Sequence, residues 1–293
     1  MSETQAGLLE AVPTVARYLS FAIAVPAALP ATLQQLAGLA DGRSLVVGVG
    51  ESLASALGRP IEGLRTYAAS VAPGLELPST PAALWCWLRG DDRGDLVHRS
   101  RHLQATLSPA FALLDSTDAF RHHRGLDLSG YEDGTENPTG EEAEAAALVS
   151  GRGPGLDGSS FVAVQPWVHD FGRLESMNPT EQDQAIGRRR SDNVELDDAP
   201  ASAHVKRTAQ ESFAPEAFVL RRSMPWADAQ RAGLVFVAFG HSFDAFEAQW
   251  HRMTGGEDGI TDALFRFTRP IGGAYFWCPP MHAGRLDLRV LGL

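Results

Sequence analysis

Two halves of similar rhythm make up this sequence, and that rhythm limits the folds it can adopt. In each half, short segments rich in Val, Ile, Phe, Tyr and Trp alternate with segments whose apolar residues are spaced for a helix. Between them lies a stretch at 125–158 that is rich in Gly, Asp, Glu, Asn and Pro, which is typical of a connection. The pattern predicts an α+β protein built as a duplicated sandwich, although no sequence repeat proves the duplication.

The predicted elements follow from apolar period and capping signals. We expect domains at 1–124 and 159–293, joined by a connecting segment at 125–158. The predicted strands are Thr14–Val25, Ser44–Val49, Leu84–Leu88, Ala110–Phe120, Ser160–Val168, Phe218–Met224, Leu234–Phe239 and Ala274–Trp277. The predicted helices are Leu29–Leu39, Leu96–Leu107, one that begins after an Asn178 cap and one that begins after a Ser242 cap.

Composition and charge exclude several classes of protein. A chain of 293 residues is long enough to bury a core without disulfides. Cys86 and Cys278 lie far apart and outside any CxxC pattern, which disfavours a disulfide scaffold and a zinc site. The net charge of −11 disfavours nucleic acid as a partner.

The longest apolar stretch does not predict a membrane span. Leu19–Leu33 is interrupted by Pro26 and Pro30 and is shorter than the roughly 20 residues that a span requires. No basic region of a signal peptide precedes it. We therefore expect a cytoplasmic protein without a membrane partner.

The segment Gly130–Pro138, GYEDGTENP, is the most informative motif. Its Asp-Gly and Asn-Pro pairs are turn signals, so a solvent-exposed acidic loop is one interpretation. The other is a ligand site. Glycines on both sides of Asp133 let the backbone approach a flat ligand closely while one carboxylate lies over it.

Two further stretches carry candidate residues. Gly187–Val205 contains three successive arginines and His204. That histidine is either a solvated side chain or a metal ligand, which needs a partner for its other ring nitrogen. In the predicted strand Phe218–Met224, alternation places Arg221 and Ser223 on one face and Arg222 on the other, so one arginine points inward.

Together these stretches resemble the dye-decolorizing peroxidases, specifically the bacterial B-type (P-class) members. GYEDGTENP resembles their GxxDG motif, and IGRRRSDNVELDD followed by SAHV resembles their proximal-histidine region. FVLRRSMPW and GGAYFWCPP fit the same subgroup. The resemblance runs from about Thr14 to the C-terminus and is strongest from Gly130 onward.

The resemblance implies a fold and an activity. The fold is two ferredoxin-like halves, antiparallel sheets packed with helices, that enclose one haem b. The activity is that of a peroxidase that reduces hydrogen peroxide and oxidises dyes, phenols or other one-electron donors through a ferryl intermediate. A homo-oligomer is also implied, and packaging in a nanocompartment shell is left open.

The resemblance also assigns roles by position. Asp133 is the distal acid–base residue, Arg221 the distal arginine and His204 the axial iron ligand. Asp262 is the carboxylate behind His204, or else a first-turn residue after a Thr261 cap. The remaining cofactor-binding residues are Arg188, near a haem propionate, with Gly134, Thr135 and Ser223.

This chain departs from the family pattern at two positions. Tyr131 stands where Phe is common, and Ser223 stands where several bacterial members carry Asn. A serine offers one hydrogen-bond donor where the amide offers two. Four aromatic residues are candidates for donor oxidation at the surface, although each could equally be a core residue: Trp226, Trp250, Tyr275 and Trp277.

Two other functions remain possible at this stage. One is a haem-binding protein that stores or transfers haem or releases its iron, and the other is a ferredoxin-like scaffold without a cofactor. A carrier has no need for Asp133 and Arg221, so these residues favour the enzyme.

Overall fold

The computed structural model describes residues 3–72 and 75–293. Its strands are β1 Val15–Ile23, β2 Leu45–Val49, β3 Ser70–Ala72, β4 Leu75–Leu77, β5 Leu84–Gly90, β6 Phe111–Phe120, β7 Ser160–His169, β8 Leu220–Arg221, β9 Met224–Ala227, β10 Ala232–Gly240, β11 Thr268–Pro270, β12 Ala274–Cys278, β13 Met281–His282 and β14 Arg285–Leu286. Its α-helices are α1 Leu29–Leu39, α2 Glu51–Ala56, α3 Arg93–Leu107, α4 Gly140–Ala147, α5 Phe171–Ser176, α6 Pro179–Ile186, α7 His204–Arg207 and α8 Asp244–Met253. Short 3-10 helices cover Ala6–Leu8, Pro26–Ala28, Gln210–Ser212, Ala263–Arg266 and Arg289–Leu291.

One antiparallel sheet organises the molecule. Its strand order is β11-β7-β12-β2-β5-β1-β6-β9-β10-β8, and β10 also pairs with β7, so the sheet closes into a barrel-like ring. Each half contributes four consecutive ring strands, β2-β5-β1-β6 and β12-β7-β10-β9. Two narrow seams join the halves, through the pairs Trp277 with Val49 and Ala119 with Trp226. The prediction of a mixed protein with antiparallel sheet and helices is confirmed.

The core lies on both faces of the sheet. In β5, alternate side chains point to opposite faces, so Cys86 packs in the outer cluster with the helices while Trp85 and Trp87 point into the ring. There Trp85 stacks on Phe276 and Trp87 on Phe239, with ring centroids 5.9 and 6.3 Å apart. Aromatic packing therefore fills the ring interior, and the ligand cavity has to lie outside it.

The start of α6 follows the predicted signal. Asn178 Oδ1 accepts a hydrogen bond from Glu181 N at 3.0 Å, Glu181 Oε2 accepts one from Asn178 N at 2.9 Å, and Pro179 occupies the first turn. The helix ends at Gly187, whose φ is 92°. A Cβ at Gly187 would lie 2.2 Å from Val205 Cγ2, so only glycine lets this turn pack against the residue after His204.

Three details differ from the sequence-based expectations. The predicted strand Phe218–Met224 is interrupted between β8 and β9, because Val237 N donates to the Ser223 hydroxyl at 3.4 Å. The predicted Ser242 cap is wrong, since Phe243 precedes α8 and Ser242 Oγ only accepts from Asp244 N. Helix α4 forms inside the segment at 125–158 that we expected to be a connection.

In the part of the chain that is described, no helix combines the length and apolar character needed to cross a membrane.

We predict that Asn178→Ala lowers the free energy of unfolding by about 1 kcal/mol, because it removes the side-chain half of the capping box. Thr139→Ala is the matched control, because Thr139 occupies the N-cap position of α4 without a side-chain cap hydrogen bond. Urea unfolding of both variants measures the difference. An equal loss in the two variants would contradict a capping role for Asn178.

Candidate active site

A cavity of about 340 Å³ lies beside the second half of the sheet. That volume falls in the range of small-molecule sites. One wall is apolar and is formed by Phe236, Phe246, Trp250, Met253 and Phe267. The polar wall contains most of the predicted site residues: Asp133, Thr135, Arg188, His204 and Arg221.

Asp133 and Arg221 approach each other at one side of this cavity. Asp133 Oδ1 lies 3.6 Å from Arg221 Nη1, a charge contact longer than a hydrogen bond. Both side chains are about one-fifth exposed, at 21% and 18%. The carboxylate therefore keeps free lone pairs, and the guanidinium keeps free donors, toward a third group between them.

The position of this pair depends on Asn137 and Gly134. Asn137 Oδ1 accepts from Arg221 N at 2.8 Å, and Asn137 Nδ2 donates to Arg221 O at 3.1 Å. Gly134 has a φ of +77°, and a Cβ there would lie 2.6 Å from Asn137 Nδ2. The second glycine of GxxDG thus leaves room for the amide that joins this loop to β8.

His204 begins α7 and is oriented by Asp262. His204 Nδ1 donates to Asp262 Oδ2 at 2.8 Å, so Nε2 is the ring nitrogen that this bond does not use. The His204 side chain lines the cavity. Asp262 Oδ1 accepts from Leu264 N at 2.8 Å, so Asp262 also caps the 3-10 helix. Asp262 therefore both contacts His204 and caps the 3-10 helix, and the predicted Thr261 cap with Asp262 in the first turn is wrong.

Arg188 joins two neighbouring segments at the edge of the cavity. Its guanidinium lies 2.5 Å from Glu136 Oε1 and 3.1 Å from Glu195 Oε2. Asn193 Nδ2 donates to Thr135 Oγ1 at 2.9 Å. The loop at 188–195 is thereby attached to the segment that carries Asp133, and two carboxylates already compensate the charge of Arg188.

The structure places Gly134 and Ser223 away from this cavity. Both line a second cavity of about 210 Å³, which shares Asp133, Arg221 and Leu234 with the first. Tyr131 lines the main cavity, but its hydroxyl donates to Asp183 Oδ1 at 2.6 Å, on α6. Burial raises the pKa of Tyr131. The hydroxyl that replaces the common Phe thus makes a structural contact with α6.

A buried pair, His169 and Asp127, lines the main cavity and was missed by the sequence analysis. His169, the last residue of β7, donates from Nε2 to Asp127 Oδ1 at 2.9 Å, and its Nδ1 lies 2.7 Å from Thr268 Oγ1. Burial acts to raise the pKa of Asp127, but hydrogen bonds from His169 and Ser129 outweigh it and lower that pKa. Asp127 precedes Asp133 by six residues, so the His169–Asp127 pair attaches the segment that carries Asp133 to the sheet.

The four aromatic candidates for surface oxidation are all buried, with exposures of 0–9%. Trp226 Nε1 donates to Trp167 O at 2.9 Å, and Trp277 is fully buried. Trp250 lines the cavity, where it meets Trp167 edge-on with ring centroids 5.8 Å apart. These positions fit the interpretation as core residues.

We predict that Asp127→Asn lowers the free energy of unfolding at neutral pH by about 2 kcal/mol, because a charged hydrogen-bond acceptor is lost. The folded-state pKa of Asp127 is lowered. Its contribution is therefore complete above the unfolded pKa of about 3.9 and is lost as pH falls through the folded value. Urea unfolding at neutral pH and near pH 3 measures the change.

Asp115→Asn is the control for that experiment, because it makes the same substitution at an exposed carboxyl on β6. The gap between wild type and Asp127→Asn should close in acid. A gap that stays constant with pH would show that the charge of Asp127 contributes nothing.

Comparison with known proteins gives these positions a context. The family model described as "Dyp-type peroxidase, C-terminal" matches residues 124–283. The chain is 30% identical to a dye-decolorizing peroxidase of Mycobacterium tuberculosis over 75% of this chain and 68% of that protein. It is 31% identical to one of Rhodococcus erythropolis over 82% of this chain and 73% of that protein.

Solved structures agree in fold. A variant of DypB from Rhodococcus jostii RHA1 in complex with haem is 26% identical, with a TM-score of 0.85 over 92% of this chain and 94% of that one. Another crystal form of DyPB from the same organism gives a TM-score of 0.80 at 26% identity, over 93% and 94% of the two chains. The predicted resemblance is confirmed: this chain belongs to the Dyp-type (dye-decolorizing) peroxidase family, and its similarity to DypB places it with the B-type members.

Proposed function

We propose that this chain is a haem b peroxidase that reduces hydrogen peroxide at the expense of dyes, phenols or other one-electron donors. One observation carries the proposal. A histidine with a carboxylate partner and a close Asp–Arg pair line a single cavity, although they come from separate parts of the chain. A ligand and an acid–base pair at one site are what peroxide activation requires.

The cavity fits a haem. Its apolar wall suits a porphyrin face, and His204 offers Nε2 while Asp262 fixes the orientation of the ring. Arg188 and Lys206 lie at the cavity edge, where propionates would share these cations with the carboxylates of Glu136 and Glu195. The structure of the DypB variant with haem supports the same cofactor here.

A haem held in this cavity would supply the site for peroxide and the oxidising equivalents for the donors. Asp133, as a carboxylate, accepts the proton from one peroxide oxygen and returns it to the other, which leaves as water. Arg221 stays charged and stabilises the negative charge that develops as the O–O bond breaks. The 3.6 Å gap between the two groups leaves both free to contact the peroxide.

His204 and Asp262 have a different role, which is to hold the metal. The Asp262 carboxylate keeps a proton on Nδ1, so the lone pair of Nε2 would be available to hold a haem iron. Its negative charge also makes the imidazole a stronger electron donor. We assign Arg188 and Thr135 to the cofactor edge and Gly134 and Ser223 to support of the Asp133–Arg221 side.

The domain division and assembly are also proposals. When the four ring strands of each half are numbered along the chain, their spatial order in the ring is 4-1-3-2. This order supports two ferredoxin-like halves at 1–124 and 159–293 with the connecting segment 125–158. A homo-oligomer, and association with a nanocompartment shell, rest on the resemblance to B-type members alone.

The alternative is a protein that stores or transfers haem or releases its iron. The Asp133–Arg221 contact favours the enzyme, because a carrier gains nothing from a free carboxylate beside a free guanidinium. Release of iron from an intact porphyrin would identify the alternative.

We predict that Asp133→Ala slows peroxide activation by roughly 10²- to 10⁴-fold, because the general base is lost. Rapid mixing of haem-loaded protein with one equivalent of peroxide, followed by the haem absorbance spectrum, measures the rate. Glu141→Gln, an exposed carboxyl of α4, is the control. Equal fast rates would keep the peroxidase and reject Asp133 as its base, whereas no spectral change in wild type would favour the carrier.

We also predict that Asp262→Asn weakens haem binding by roughly 10- to 100-fold, as is usual when the partner of a metal-binding histidine is lost. Asn is a good N-cap, so the start of the 3-10 helix should persist. Haem titration followed by absorbance measures the affinity, with the exposed Asp244→Asn as the control. Unchanged affinity and an unchanged spectrum would reject His204 as the ligand that Asp262 orients.

A further inference from the structure

The second cavity, of about 210 Å³, has an unusual excess of positive charge. Four arginines line it, together with His122 and a single carboxylate, that of Asp133. The arginines are Arg121, Arg124, Arg221 and Arg222. In a chain whose net charge is −11, such a cluster around a cavity needs an explanation.

Two of these arginines have no carboxylate partner in the described part of the chain. Arg124 pairs with Glu132 at 2.6 Å, and Arg221 faces Asp133. In that same part of the chain, Arg222 donates only to main-chain oxygens, including Leu8 O at 3.1 Å and Leu9 O at 2.5 Å. Among residues 3–72 and 75–293, no hydrogen bond or ion pair engages the exposed Arg121 side chain.

The pKa of Arg222 also fits a cation without a carboxylate partner. Burial and repulsion from Arg89 lower the pKa of Arg222 to about 10. A half-buried cation without a counter-ion is unfavourable, and an anion in the cavity would stabilise it. The hydroxyl of Ser223 lines the same cavity and adds a donor.

Apart from Asn137, whose amide pairs with the backbone of Arg221, the larger side chains in the rest of the lining are apolar. They are Val12, Leu126, Met224, Pro225 and Leu234. A small inorganic anion would leave these surfaces in contact with water, whereas an organic anion would cover them. The cavity therefore matches a ligand with one negative charge and a compact apolar body.

We propose that this second cavity binds a small organic carboxylate, with its carboxylate group near Arg121 and Arg222 and its apolar body against Leu126 and Met224. The site adjoins the distal residues, because Asp133 N donates to Gly125 O at 3.3 Å and the turn at 121–126 forms the cavity edge. A bound carboxylate would compete with Asp133 for the Arg221 cation. That consequence rests on the proposed function, but the binding itself does not.

Isothermal titration calorimetry of haem-loaded protein with benzoate tests the proposal. We expect wild type to bind benzoate and the double variant Arg121→Ala/Arg222→Ala to bind it at least about tenfold more weakly, because charged hydrogen-bond donors are lost. The charge-matched control is Arg59→Ala/Arg101→Ala, at two exposed arginines elsewhere on the surface, and should bind as wild type does.

A third variant separates the cavity from general electrostatics. Leu126→Trp keeps every charge and fills the space, so it should also abolish binding, while thermal unfolding and the haem spectrum verify that the variants fold. The proposal is overturned if wild type binds no benzoate, if both double variants bind it equally, or if chloride and phosphate bind as well as benzoate. Because calorimetry needs no turnover, a failure of the peroxidase assignment would leave this result interpretable.

Discussion

The amide of Asn137 joins two parts of the chain that are 84 residues apart, and the geometry of the distal pair depends on it. An asparagine side chain offers one acceptor and two donors, so it can pair with both backbone groups of Arg221 as a strand would. This contact fixes where Arg221 leaves the sheet, and Gly134 makes it possible by having no Cβ. With the backbone of Arg221 held in this way, its Nη1 lies 3.6 Å from Asp133 Oδ1.

The His204 side of the cavity is also organised by one side chain that joins two distant parts of the chain. Asp262 uses one oxygen to start a helix and the other to orient His204, 58 residues away in the chain. The fully buried Asp262 carboxylate thus accepts from both a backbone N–H and an imidazole N–H, so both of its oxygens have a partner. On both sides of the cavity, a residue that organises local backbone also positions a group to which we assign a chemical role.

The sequence predicts most strands and the longer helices to within a few residues, because period-two and helical spacing are local properties. Strand β1 and helix α1 are examples. Its resemblance to the family motifs also predicts Asp133, His204 and Arg221 as site residues, and all three line one cavity. Asp127, His169 and Asn137 were missed, because their importance depends on partners 42 and 84 residues away that no local pattern encodes. The break between β8 and β9 was missed for a related reason, since it depends on a hydroxyl that substitutes for a ladder acceptor.

Arg221 and Arg222 show how one short strand can serve two cavities. Alternation sends neighbouring side chains to opposite faces, so Arg221 reaches both cavities while Arg222 turns toward the carbonyls of Leu8 and Leu9 and lines only the second. The Asp133–Arg221 pair forms part of the wall between the two spaces. Any ligand in the second cavity therefore acts on the same charges that the first cavity uses. A carboxylate bound at the site we propose would be coupled to the Asp133–Arg221 pair through short-range electrostatics, without a change in backbone conformation.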